Sequence, residues 1–494
     1  MMRAERRRSA RASLATVALL PLLVLPAAAQ TPDRSARPPL GPTPEVDLPD
    51  PQRFTLANGL DVVVIEKHQV PIAQLILQVG AGSVRDEASG IGLASLTADM
   101  LDEGAGDRSA LELADAFEML GARFSTSAGR HTASLALRVT VERLSEALAL
   151  VSDVLLEPSF PDAELERIRT ERLTALIRRH DDPNTIAGVL FDGTVYGETH
   201  PYGRGTVGDE AALRSFSTED VNAFHDRWYR PDNATLLIAG AIAPAEARRV
   251  AEAAFGSWQG GQAPTPEVGP IQPVRGRTIY LVDKPGSVQS VIALGHQGAP
   301  RSSPDYHALQ VLNTILGGSF SSRLNQNLRE DKGYTYGARS SFSTGLGAGD
   351  FSAGAAVQTQ STGPALAEFM KELNGIRQPI PQEEIDRAKQ NLAMGFIQGF
   401  QSVAQVAGQF GQVVEYDLPA DYLDGYVDHV LAVTKADVER VAQEYIDPEN
   451  LAIVVVGDRA AIESQIQQLD LGEIRVLDVT DVLGPVPRME RPTS

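Results

Sequence analysis

The sequence predicts an α+β protein built from two tandem homologous domains, each a mostly antiparallel sheet packed with helices. Three observations predict it: an internal repeat at a separation near 217 residues, short runs of branched apolar residues arranged as hairpins, and long amphipathic helices that follow those hairpins. The composition agrees, with 43% hydrophobic and 22% charged residues over 494 positions. A formal charge of −20 argues against nucleic-acid binding, which needs a basic face for phosphates. The absence of cysteine excludes disulfides, thiol nucleophiles and Cys-ligated metals, so any metal would need His and carboxylates.

Residues 1–29 read as a secretory signal peptide. Five arginines precede an apolar run from Leu14 to Pro26, and Ala27, Ala28 and Ala29 offer a cleavage site before Gln30. The run is shorter than the roughly 20 residues a membrane span needs. The mature chain is therefore expected to be exported, periplasmic or secreted, with no stable membrane insertion. Residues 30–50 are rich in Pro and polar side chains and read as a disordered lead-in.

The first domain spans 51–256. DVVVIE at 61–66 and AQLILQV at 73–79 read as strands. A helix is expected at 90–103, another near 110–120, paired strands over 122–140, a helix at 142–156 and a long amphipathic helix at 163–180. Residues 257–276, rich in Gly, Pro and Gln, form a linker. The second domain spans 277–483, and the tail 484–494 resembles the lead-in.

The repeat carries the two-domain reading. Residues 217–240 match 434–457 at Asp220/Asp437, Val221/Val438, Trp228/Tyr445, Pro231/Pro448, Asn233/Asn450 and Gly240/Gly457. Each copy reads as a helix capped by Thr218 or Thr434, a Pro-Asp/Glu-Asn turn and an apolar strand. Upstream, Pro161, Glu164, Leu165 and Arg167 match Pro381, Glu384, Ile385 and Arg387 at an offset of 220, each opening a long helix.

In the second domain, Gly317 and Gly318 end a helix that starts near Pro304. A second helix runs from Ser321 to about Asp331, and Gly333 turns the chain into a strand holding Tyr336. The segments Gly92-Leu93-Ala94 through Met100, Asp182-Pro183, Trp228-Tyr229 and Gly317 through Tyr336 together resemble the pitrilysin/insulinase family of zinc peptidases, the inverzincins. In active members the helix after Gly-Leu-Ala carries H-x-x-E-H. Its His residues, four apart on one face, bind zinc, and its Glu is the general base.

By that resemblance the first His, the Glu and the second His fall at Ser95, Ala98 and Asp99. The third ligand, a Glu before an Asp-Pro turn, falls at Leu173 or Thr174. All are substituted, so the chain itself is expected to hold no metal and no other cofactor. No two of the eight His residues lie three or four positions apart, so no helix offers a paired-His face. His180, beside Asp181 and Asp182, reads as a helix C-terminal residue.

The resemblance also implies that Arg329 and Tyr336, seven apart, match a pair that binds substrate and stabilises the tetrahedral intermediate. A guanidinium and a phenol are suitable donors to a developing oxyanion. Where the family's edge strand has Asn-Ala, this chain has Ser125 and Thr126. Some family members are heterodimers in which one subunit lacks the zinc site and supplies the Arg/Tyr pair. The resemblance thus implies a zinc-less subunit, with zinc in an H-x-x-E-H-bearing partner and a peptide as substrate. Whether the chain counts as an enzyme depends on that partner. The alternatives are a structural or chaperone-like family member and an autonomous peptidase with a displaced metal site.

Overall fold

The computed structural model describes residues 48–261, 263–264 and 268–489. The signal-like segment 1–29 and most of the lead-in lie outside the described residues. The first sheet contains β1 (Gln52–Thr55), β2 (Asp61–Glu66), β3 (Ile72–Val79), β4 (Arg123–Ala128), β5 (Ala133–Thr140) and β6 (Ala234–Gly240), in the spatial order β1-β2-β6-β3-β5-β4. The second contains β7 (Thr278–Asp283), β8 (Gln289–Gln297), β9 (Thr335–Phe342), β10 (Asp350–Gln358), β11 (Ala452–Gly457) and β12 (Glu473–Asp478), in the order β12-β7-β11-β8-β10-β9.

Five strands of each sheet therefore correspond in both chain order and spatial order. Asp61 and Thr278, Ile72 and Gln289, and Ala133 and Asp350 open equivalent strands, each pair 217 residues apart. The sixth strand breaks the repeat. β1 precedes its neighbour and pairs antiparallel, whereas β12 arrives from the far end of the chain and pairs parallel. Parallel pairs also join β2 to β6 and β7 to β11, and the remaining pairs are antiparallel.

The described helices include α1 (Leu93–Met100), α2 (Ala110–Met119), α3 (Leu144–Leu156), α4 (Asp162–Arg179), α5 (Pro183–Tyr196), α6 (Thr218–Trp228), α7 (Tyr306–Leu316), α8 (Thr362–Gly375), α9 (Gln382–Gln398), α10 (Val403–Glu415) and α11 (Lys435–Tyr445). Equivalent caps start α6 and α11. Ser217 accepts from the Asp220 amide, and Thr434 accepts from the Asp437 amide. In the first copy the cap is thus one residue earlier than Thr218, because Ser217 has the extended backbone an N-cap needs.

The runs VVVI and IVVVG are buried on both faces, and a helix exchange between the halves explains it. Val62 and Val64 face the first half's own core, while Val63 and Ile65 meet Val406, Ala407, Phe410 and Val413 of α10. Reciprocally, Ile453 and Val455 face the second half's core, while Val454 and Val456 meet Ile186, Phe191 and Val195 of α5. Each half lends one helix to the outer face of the other's sheet. A fully buried Phe contributes about 1.5–3 kcal/mol, so Phe191 and Phe410 bind the halves into one unit.

Candidate functional site

Helix α1 begins where Gly92 adopts φ +98°, and a Cβ there would meet the Val207 carbonyl oxygen at 2.3 Å. Only glycine fits this close approach. The Asp86 carboxylate caps the helix, accepting from the Gly92 and Ala94 amides at 2.8 Å each. Burial pushes Asp86 up to about 6 despite those two amides and the nearby Arg172.

Ser95, Ala98 and Asp99 then present little that could ligate. The Ser95 hydroxyl donates to the Thr206 carbonyl at 2.7 Å. Ala98 is fully buried and brings no proton-transfer group. Asp99 accepts from Arg172 Nη2 at 2.7 Å. The same guanidinium donates through Nη1 to Ser95 Oγ at 3.1 Å.

Helix α4 therefore meets α1 through Arg172, which keeps 8% of its surface exposed. Leu173 is buried in the first half's core, and Thr174 bonds back to the Thr170 carbonyl of its own helix. Neither offers a ligating group to α1. Arg172 escaped the sequence reading, although it interrupts the apolar stripe Leu165, Ile168, Leu176. A charge on a core-facing stripe was the signal available.

These residues do not fit a zinc ion. Zinc needs several deprotonated ligands. Here there is one half-exposed carboxylate and no imidazole, and a guanidinium already holds the oxygens of Ser95 and Asp99. Among the described residues, no group of three or more His, Asp or Glu side chains is placed to hold a metal ion. His180 ends α4, its Nδ1 within 3.0 Å of the Leu176 carbonyl.

Arg329 and Tyr336 come together. They line one shallow cavity of about 400 Å³ with Gln289, Tyr334 and Gln358. Each sits on a backbone irregularity. Residues 326–331 form a π-helical turn carrying Arg329. The pairing of β9 with β10 slips between Thr335 and Ala338, so Tyr336 and Gly337 occupy a bulge. Thr335 Oγ1 pins the bulge, donating to the Ala356 carbonyl at 2.7 Å and accepting from the Gly337 amide at 3.1 Å. π-Turns and bulges re-aim side chains and concentrate at functional sites.

Tyr336 is 91% exposed. Arg329 lies 4.4 Å from the Phe320 ring centre, and its Nε is 3.2 Å from Glu330. That ion pair is solvent-exposed and worth at most about 1 kcal/mol, so the guanidinium is easily redirected. The loop before it is tightly built: a Cβ on Gly317 would meet the Ser340 amide nitrogen at 2.1 Å.

Strand β4, which carries Ser125 and Thr126, lies at the edge of the first sheet. Its outer side can pair with an extended chain. Thr126 leans on Asp102 at 3.5 Å.

The profile described as "Insulinase (Peptidase family M16)" matches residues 61–182, and the one described as "Peptidase M16 inactive domain" matches 215–392. The chain belongs to the insulinase family. An uncharacterized zinc protease of Bacillus subtilis is 26% identical over 344 residues, covering 69% of this chain and 82% of that protein. One from Mycobacterium leprae is 28% identical over 350 residues, covering 70% and 77%. Among solved structures, a peptidase M16 inactive domain from Pseudomonas fluorescens superposes with TM-score 0.78 at 28% identity, covering 82% of this chain and 97% of that one. A Helicobacter pylori protease shares the fold at TM-score 0.76 and 22% identity. Within the insulinase family, this chain is a member in which Ser95 and Asp99 are tied together by the Arg172 guanidinium.

Proposed function

We propose that the chain is the non-catalytic subunit of an exported heterodimeric zinc peptidase, and that it contributes Arg329 and Tyr336 to a site completed by an H-x-x-E-H-bearing partner. One observation carries the reading: Arg329 and Tyr336 share a cavity while each stands on a backbone irregularity. A surface Arg and Tyr of no consequence would need neither a π-turn nor a bulge to aim them.

The chemistry asked of the pair is electrostatic. When water adds to a peptide carbonyl, the oxygen gains negative charge. The guanidinium and the phenol hydroxyl donate hydrogen bonds to that oxygen or to a neighbouring substrate carbonyl. Removing one such donor costs about 10²–10³ in kcat. The free edge of β4 can hold the peptide extended through backbone hydrogen bonds. The chain's own Arg172 cluster takes no part in hydrolysis.

Purification of the mature chain alone, and together with an H-x-x-E-H-bearing family member encoded beside it, tests the proposal. Zinc content, co-elution and cleavage of a quenched peptide are measured on each. The expected result is no zinc and no cleavage alone, with a stable complex and cleavage in the mixture. Stoichiometric zinc and cleavage by the lone chain would overturn it. A stable complex with no cleavage would favour the structural, chaperone-like role. Sequencing the N-terminus of the exported protein checks the signal reading, with Gln30 expected as the first residue.

A further inference from the structure

Arg301, in the loop after β8, is 6% exposed. Among the described residues no carboxylate pairs with it. The nearest acid in sequence, Asp305, is taken by Arg440 and Tyr445. The Arg301 guanidinium instead lies among aromatic rings, 3.5 Å from the centre of Tyr306, 4.7 Å from that of Tyr422 and 6.0 Å from that of Tyr416. Ring faces attract a cation, but they offset only part of the cost of withdrawing an arginine from water.

This guanidinium lines a cavity of about 300 Å³. The inner wall is apolar, with Phe396, Val413, Leu418 and Leu423, and the amides of Asn391 and Gln412 lie toward solvent. The Tyr422 hydroxyl is buried beside the Arg301 guanidinium, and its own O–H meets no acceptor. The cavity therefore combines a permanent buried cation, a spare phenol donor, one apolar wall and a volume at the small end of ligand sites. A planar guanidinium presents parallel N–H groups that match a carboxylate.

We propose that this cavity binds a compact organic carboxylate, its two oxygens on Arg301 and its apolar body against Phe396 and Val413. Such a group can come from a free short-chain acid or from the C-terminus of a peptide ending in an apolar residue. The site lies on elements of the second half and owes nothing to Arg329 or Tyr336. Its wall includes α10, the helix lent to the first sheet, so occupancy reaches the contact between the halves.

Titration calorimetry on the full mature chain tests it, using butyrate, a tetrapeptide ending in free Leu, and the same peptide amidated. At least one free carboxylate is expected to bind. The amide should not. Arg301→Met should weaken binding by about ten- to a hundredfold, the range of a charge-assisted hydrogen bond. Gly395→Leu gives a control that keeps the fold. A Cβ at Gly395 meets nothing within 4 Å, and the change suits a helix while filling the mouth. That variant should melt at or above the parent temperature and lose binding. Butyrate binding alone would identify a free acid, and binding of the free peptide but not butyrate a peptide terminus. Failure of both carboxylates to bind, equal binding to Arg301→Met, or equal heats from chloride and phosphate would overturn the proposal.

Discussion

Replacing Asp99 by Ala removes the carboxylate bonded to Arg172 and leaves the buried guanidinium with only the more distant charge of Asp86. Breaking a fully buried pair from one side costs about 3–5 kcal/mol, and breaking an exposed one under about 1 kcal/mol. This pair lies between, since the Arg172 side chain is 9% exposed and the Asp99 side chain 48%. Asp99→Ala is expected to cost about 2 kcal/mol. Arg172→Met removes the charge but keeps the packing of the stem, and costs about 1 kcal/mol through its lost bond to Ser95. In the double variant neither member of the bonded pair remains to be stranded, and Asp86 loses the same neighbour as in Arg172→Met, so its loss should match that of Arg172→Met alone. The cycle then yields a coupling of about 2 kcal/mol. Urea unfolding of the four proteins at constant m-value measures it. Additive losses, or an Asp99→Ala variant as stable as the parent, would refute the view that this carboxylate balances a buried cation.

Three further outcomes follow from the packing. Phe410→Ala or Phe191→Ala should each cost about 3–5 kcal/mol, as for other buried Phe truncations, and should raise proteolysis between the halves. Gly317→Ala should destabilise markedly, because its Cβ must displace the Ser340 backbone, and a fall in melting temperature reads this directly. Burial, aided by Arg130 and Arg85, pushes His131 down to about 4, and burial with His429 and Arg301 does the same to His307. Both imidazoles fold neutral but protonate near 6.5 when unfolded. Their contribution is full above that pH and is lost as pH falls toward 4. A melting curve that drops across this window, and drops less in His131→Gln, is the expected result.

The repeat was legible because capping and burial constrain the same positions twice. Ser217 with Asp220 and Thr434 with Asp437 make the same box, and LLIAG and IVVVG meet the same need for a buried central strand. The helix exchange was not legible. Ile186, Phe191, Val406 and Phe410 give α5 and α10 apolar faces, and an apolar face does not say which sheet it covers. The unbroken VVVI run, read only as a strand, is the trace that burial on both sides leaves in a sequence. Gly92-Leu93-Ala94 pointed to Ser95 and Asp99, but their bond to Arg172 was signalled only by its place on the apolar stripe Leu165, Ile168, Leu176, among the many charges of α4. The Arg301 cavity draws on loops and helices some hundred residues apart and has no local signature.

The central claim is that this chain lends Arg329 and Tyr336 to a partner's hydrolytic site. The most direct test is the kcat of the reconstituted complex with Tyr336→Phe in this chain, on a single peptide. Tyr336 is 91% exposed and Phe keeps its ring, so the substitution should leave the stability of this chain unchanged, and co-elution checks that the complex still forms. A fall in kcat of about a hundredfold is expected, the value of one lost oxyanion donor. A complex that forms normally and cleaves at the parent rate would contradict it.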